Sequence, residues 1–277
     1  MAMGFGCNAA GVMACRIIDS PRERLVAILT NNFAPCNGRF PTLIALASLI
    51  AAGSIKASLL VAAMVLLGMA ASLGMSWVLS RTVLRGVPSS FILELPPYRM
   101  PQVARVLWRS LYDRTLLVLR RAVIVAAPAG AIVWAIANMT TPAGESILTS
   151  AARVLHPAAA YMGLDGFILT SFILGLPANE IVLPILVIAY SSSTALTETT
   201  GLAPLGRILA ANGWTWLTAV NTMIFSVLHF PCSTTLLTIG AETKSPRWTA
   251  LAALMPTALA IAVCCATRAV ARLLGFA

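Results

Sequence analysis

Residues 59–79 read LLVAAMVLLGMAASLGMSWVL, 21 consecutive positions without a charged side chain. At about 1.5 Å per residue a helix of that length covers roughly 30 Å, the thickness of a bilayer's hydrocarbon core. Gly68, Ala70, Ala71 and Gly74 within it are small residues that let helices approach closely in lipid. The run shows no alternation of apolar and polar residues, so it does not read as a strand of a membrane barrel.

The rest of the chain follows the same pattern. Of the 277 residues, 59% are hydrophobic and only 10% charged, and mean hydropathy is +0.88. A soluble domain carries about 25% charge. Further apolar stretches at 116–138, 166–189, 214–240 and 249–271 predict an all-α, polytopic transmembrane helical bundle. The predicted divisions are a first transmembrane repeat over 1–80 and a cytoplasmic connector over 81–115. A helix with an external loop follows over 116–165, and a second repeat over 166–277.

The net charge of +10 has a membrane explanation. Arg81, Arg85, Arg99, Arg105, Arg109, Arg114, Arg120 and Arg121 crowd one segment, as expected of a loop held on the cytoplasmic side. Nucleic acid is therefore excluded as a partner, and membrane lipid is expected. After the turn Leu95-Pro96-Pro97-Tyr98-Arg99-Met100-Pro101, Val103, Val106 and Leu107 alternate with Arg105, Arg109 and Arg114. That pattern predicts an amphipathic helix lying on an anionic surface. The N-terminus is apolar from its first residue, so no secretory signal is expected. Six cysteines form no CxxC pair, which argues against a disulfide framework or a structural zinc site.

Several apolar stretches are interrupted. Gly4-Phe5-Gly6-Cys7-Asn8 and Gly175-Leu176-Pro177-Ala178-Asn179-Glu180 occupy matching places in the two halves, and Pro35-Cys36 matches Pro231-Cys232. Paired interruptions in two halves are the sequence mark of a transporter whose site lies near the membrane midplane. Unwound backbone survives there only where protein or a water-filled path satisfies it. The loop 16–24 holds three arginines, whereas its counterpart 190–213 holds one cation. This bias favours two inverted repeats containing broken or re-entrant helices. If every segment crosses, loops 139–165 and 190–213 fall on the same side. Either 166–189 is a re-entrant hairpin bent at Pro177–Glu180, or a further crossing lies near 145–163.

Glu180 is the sharpest functional signal, because an ionisable side chain in an apolar segment is costly and marks an ion or proton pathway. A Glu at a helix end facing water is the alternative. Asn8 and Asn179 offer neutral oxygens beside the interruptions. Cys7, Cys36 and Cys232 each stand at one, where sulfur suits a soft or borderline divalent cation. Each alone could equally be a small buried hydrophobe. His229, three residues before Cys232, offers an imidazole or an aromatic-like packing group. The predicted path is Cys7, Asn8, Cys36, Asn179, Glu180, His229 and Cys232, with Cys7, Cys36, Glu180 and Cys232 as metal ligands. Cys15, Cys264 and Cys265 read as packing, and His156 sits in an expected external loop. Neither lysine, Lys56 or Lys244, follows a glycine, so there is no P-loop, and no HExxH or GxSxG is present. An enzyme is not expected.

Three stretches resemble the first Gate motif of the ferrous iron transport protein B (FeoB) family: Gly4-Phe5-Gly6-Cys7-Asn8, Ala14-Cys15-Arg16, and Pro35-Cys36-Asn37-Gly38-Arg39-Phe40-Pro41. The Glu94–Pro101 connector, Asn179-Glu180, Phe230-Pro231-Cys232 and Glu242-Thr243 with Trp248 are similar to later motifs of that family, in the same order. Asn179 stands where the family usually has Lys. The resemblance implies multi-pass uptake of Fe²⁺ across a bacterial inner membrane. Iron would be the transported substrate, with no permanently bound cofactor. It also implies a GTP-binding domain or subunit on another polypeptide, small accessory proteins and a possible homo-oligomer. The alternatives are a non-transporting gating or scaffold subunit and a carrier of nucleoside-like solutes.

Overall fold

The computed structural model describes residues 2–51, 54–84, 102–110, 112, 116–139, 146–191 and 202–275. Among these there is no strand, and thirteen α-helices follow one another. They are α1 (Asn8–Ala14), α2 (Pro21–Thr30), α3 (Phe40–Ile50), α4 (Ser54–Arg81), α5 (Val103–Ser110), α6 (Leu117–Asn138), α7 (Ile147–Tyr161), α8 (Gly166–Leu174), α9 (Val182–Ser191), α10 (Leu202–Ala211), α11 (Trp216–Leu228), α12 (Ser233–Thr243) and α13 (Pro246–Leu273).

The helix starts follow from local chemistry. Ser20 accepts a hydrogen bond from Glu23 N (3.4 Å) and Pro21 opens α2, because proline's missing N–H is an orphan at that position anyway. Asp165 accepts from Ile168 N (2.7 Å) at α8, and Thr215 from Thr218 N (3.2 Å) at α11. Each satisfies one of the four amides that a helix leaves unpaired at its start.

Among the described residues three helical runs are long and apolar enough to cross a membrane: Ile55–Arg81, Trp216–Thr243 and Pro246–Leu273. Only 17% and 22% of the apolar windows in α4 and α13 are buried against the rest of the chain, against 61% in the α11–α12 run. The first two therefore turn a wide face outward, through Leu59, Leu66, Leu73 and Leu254, while α11 lies inside. The main core joins Phe33, Leu43 and Leu46 to Phe172, Met223, Phe225 and Leu228. A second cluster joins Val12, Ile28 and Leu29 to Leu79 and Ile239, where α1 packs on α12 and α2 on α4.

Two expected loops contain helices. The segment 139–165 holds α7, which continues into α8 after a bend of 109°. The segment 190–213 holds α10. Pro204 stands in the first turn of α10, where a proline costs no hydrogen bond, whereas Pro157 lies inside α7. The chain is also interrupted at the expected Pro177–Glu180, between α8 and α9. The amphipathic segment forms α5, with Val103, Arg105, Val106, Leu107 and Trp108 exposed. Residues 85–101 of the connector and Arg114 lie outside the described residues.

Candidate functional site

Four helix interruptions meet at one place. The first is the short 3-10 turn Ala2–Phe5 leading to Cys7, which is extended (φ −152°, ψ 124°) immediately before α1. The second runs from the end of α8 to Ala178 (φ −152°, ψ 122°), followed by the 3-10 turn Asn179–Ile181. Cys7 and Ala178 thus share one backbone conformation, and the residues after them, Asn8 and Asn179, are both buried. The other pair is Cys36 (φ −77°, ψ 166°), before the 3-10 turn Asn37–Arg39, and Cys232 (φ −61°, ψ 156°), before α12.

Main-chain bonds join them two by two. Asn37 N donates to Gly6 O (3.3 Å), and Ser233 N donates to Leu176 O (2.8 Å). In each half, the residue after the Pro-Cys step therefore satisfies a carbonyl of the other interruption. The halves meet through Gly38: a Cβ there would stand 2.9 Å from Glu180 Cγ and 3.2 Å from its Oε1. Only glycine lets the Glu180 side chain lie against the 36–38 segment. Glu180 itself is exposed, and Cys7, Cys36 and Cys232 are half-buried. Cys232 shares its sulfur with Thr235 Oγ1 (3.2 Å).

The asparagines are held tightly. Asn31 Nδ2 donates to Asn8 O (3.0 Å). With its amide turned as its surroundings dictate, Asn8 donates to Gly4 O (3.0 Å) and Ala34 O (3.2 Å). Asn31 Oδ1 lies so close to the backbone of Gly11 that a Cβ there would be 2.6 Å away.

His229 is 1% exposed, and its Nδ1 lies 2.9 Å from both Phe225 O and Ser226 O. Two acceptors fix the proton on Nδ1, leaving Nε2 as the bare nitrogen. The ring is enclosed by Phe172, Phe225 and Phe230, with centroids at 4.9, 5.6 and 4.9 Å. His156 is on α7, where Nδ1 accepts from Gly166 N (3.4 Å). Cys15, Cys264 and Cys265 bond through sulfur to Gly11 O, Asn221 O and Tyr161 O.

Sequence reasoning passed over Arg39, the largest fully buried side chain among the described residues. It lies inside the apolar stretch 25–52, where the cost of an ionisable group that singled out Glu180 applies equally. Asn31 and Asn32 beside it are also buried, each 1% exposed. The buried side-chain atoms without a hydrogen-bond partner among the described residues are Asn31 Oδ1, Asn32 Nδ2, Arg39 Nε, Asn179 Oδ1 and His229 Nε2. All five lie at the interruptions. Buried polar groups are normally satisfied, so this junction is polar in excess of its own bonding. No group of three or more His, Cys, Asp or Glu among the described residues is placed to hold a metal ion. The predicted ligands surround a polar junction without forming a closed coordination cage.

Comparison with known proteins gives two family models. "Ferrous iron transport protein B C terminus" matches residues 61–114, and "Nucleoside recognition", the Gate model, matches residues 119–246. The chain is 31% identical over 264 residues to the Fe(2+) transporter FeoB of Staphylococcus aureus, covering 92% of this chain and 38% of that protein. It is 27% identical over 260 residues to FeoB of Synechocystis, covering 92% and 40%. A Porphyromonas gingivalis protein named as a fusion of Fe(2+) transport protein A with FeoB is 23% identical over 305 residues, covering 94% and 36%. The chain thus spans about two fifths of the length of these curated relatives. No solved structure matches.

Proposed function

The chain belongs to the FeoB family, of which it carries the Gate and C-terminal regions, and from that membership we propose that it forms the permeation path of an Fe²⁺ uptake system. The observation that carries the reading is the convergence of the four interruptions, with Cys7, Cys36, Cys232 and Glu180 around them and every unpaired buried polar side-chain atom among the described residues at the same place. Fe²⁺ is the transported substrate and passes through without resting in a closed site. Half-buried sulfurs and one exposed carboxylate suit transit, since conduction needs binding strong enough to enter and weak enough to leave.

The two halves form inverted repeats about this junction, 1–80 and 166–277, joined by the connector 81–115 and by 116–165. The shared conformation of Cys7 and Ala178 and the paired bonds from Asn37 and Ser233 support the repeat. So does the equal length of α4 and α13, 28 residues each. The interruptions are then broken membrane helices, and the 109° bend supports a re-entrant hairpin made by α7 and α8. The protein lies in the bacterial inner membrane and crosses it several times. Control by GTP hydrolysis belongs to the part of the relatives that this chain does not match, or to a separate subunit. The fusion in Porphyromonas gingivalis supports a small accessory protein as a further partner. A second reading, a carrier of nucleoside-like solutes, is favoured by the unpaired amide oxygens of Asn31 and Asn179.

Anaerobic Fe²⁺ uptake into proteoliposomes tests the proposal. Flux should fall at least tenfold in Cys7→Ser, Cys232→Ser and Glu180→Ala. Wild-type flux in all three would exclude the path. Inhibition by nucleosides without metal dependence would select the second reading.

A further inference from the structure

Arg39 is 1% exposed, and a charge withdrawn from water must find partners in the protein. Its partners are four main-chain carbonyls. Nη1 donates to Asn32 O (3.2 Å) and Val227 O (2.7 Å), and Nη2 to His229 O (3.3 Å) and Phe230 O (3.4 Å). The first belongs to the 3-10 turn that follows α2. The other three are carbonyls left unpaired where α11 stops, and a helix C-terminus carries partial negative charge. The guanidinium is planar and presents its donors as a fixed fork, so one group can serve carbonyls from both halves at once. Arg39 thereby holds the end of α11 to the first half, a few residues from both Cys36 and Cys232.

Carbonyl oxygens converging at a helix break are also what coordinates hard cations such as Na⁺ and K⁺ in membrane proteins. We propose that Arg39 is a tethered cation that fills a carbonyl cage between the two halves and, by filling it, keeps monovalent cations out of the path. This rests on the reading that the junction is a cation path. The cage offers oxygen alone, which suits hard ions, whereas the cysteine sulfurs beside it suit softer divalent ones. An occupied cage therefore leaves the sulfurs as the ligands on offer, and Arg39 is a specificity-determining residue that touches no transported ion.

The test measures K⁺ efflux from proteoliposomes holding wild-type chain, Arg39→Ala, Arg39→Gln or Arg39→Lys, with Fe²⁺ uptake followed in parallel. Arg39→Ala and Arg39→Gln should raise K⁺ permeability at least tenfold, and guanidinium ion at millimolar concentration should reverse the leak in Arg39→Ala by refilling the cage. Arg39→Lys should stay within about threefold of wild type, because its ammonium keeps the charge. Arg39→Gln keeps an amide donor for the carbonyls, so it carries the test if Arg39→Ala does not fold. Folded Arg39→Ala or Arg39→Gln that holds K⁺ as tightly as wild type would overturn the proposal, and so would an Arg39→Ala leak that guanidinium leaves unchanged. A wild type that moves no Fe²⁺, alongside an Arg39→Ala leak closed by guanidinium, would refute the iron reading and leave the cage standing.

Discussion

A methyl group at residue 38 separates the Glu180 carboxylate from the junction with the least disturbance elsewhere. The added Cβ would lie 2.9 Å from Glu180 Cγ, while carbon atoms in contact rest about 3.5–4.0 Å apart. Glu180 must therefore withdraw by roughly 0.6–1.1 Å. Its side chain is exposed and has room to give way, so Gly38→Ala should cost about 1 kcal/mol, the low end for overpacking, or a fall in Tm of about 2–4 °C. Fe²⁺ uptake should fall by about tenfold or more, equivalent to roughly 1.4 kcal/mol in the barrier. Gly11→Ala is the contrasting control. Its Cβ would stand 2.6 Å from Asn31 Oδ1 and 2.9 Å from Cγ, and Asn31 is 1% exposed and cannot give way. That variant should lose about 3 kcal/mol, the upper end of the same range. Uptake and thermal unfolding measured on one preparation of each variant decide the matter. A Gly38→Ala protein that transports at the wild-type rate, or that is destabilised as much as Gly11→Ala, would refute the reasoning.

Asn221 is fully buried, donates to Met162 O (2.8 Å) and accepts from Thr267 Oγ1 (2.6 Å). Asn221→Ala should cost about 1–3 kcal/mol through the partners it leaves unpaired, seen as a lower Tm with uptake unchanged at temperatures where the protein is folded. The Arg16–Glu242 ion pair is 67% exposed on the arginine side, so Arg16→Ala should cost less than about 1 kcal/mol in chemical denaturation, and less again at high salt. Leu66 faces outward near the middle of α4, and Leu66→Asp should raise the apparent insertion free energy of that helix by about 3 kcal/mol in a membrane-insertion assay.

The long helices were legible because twenty or more apolar residues leave a chain few alternatives in lipid, and α4 and α13 needed nothing beyond composition. α10 was not, since 190–213 read as a polar loop with one cation, and α7 was legible only as the alternative crossing near 145–163, beside a loop reading of 139–165. Their placement is tertiary: α7 buries Leu148, Ala152 and Ala159 and packs along α8. At the junction, cysteines and a glutamate at interruptions stand out because each residue type carries its own chemistry. Arg39 carried the same signal as Glu180, an ionisable group in an apolar stretch, but arginines are common near membrane surfaces, and the fold is what shows this one sealed inside. The role of Gly38 was equally hidden, because the side chain it admits comes from residue 180, in the other half of the chain.

Protection of cysteines by iron tests the permeation path most directly. Proteoliposomes would be treated anaerobically with a small maleimide, with and without Fe²⁺, and labelling at each of the six cysteines read by mass spectrometry. Cys7, Cys36 and Cys232 are half-buried at the junction, while Cys265, also half-buried, lies apart on α13 and serves as the internal control. The account predicts that Fe²⁺ slows labelling of the first three several-fold and leaves Cys265 unchanged, and that in Glu180→Ala it slows labelling of none of the four. Equal labelling of Cys7, Cys36 and Cys232 with and without Fe²⁺ would contradict it.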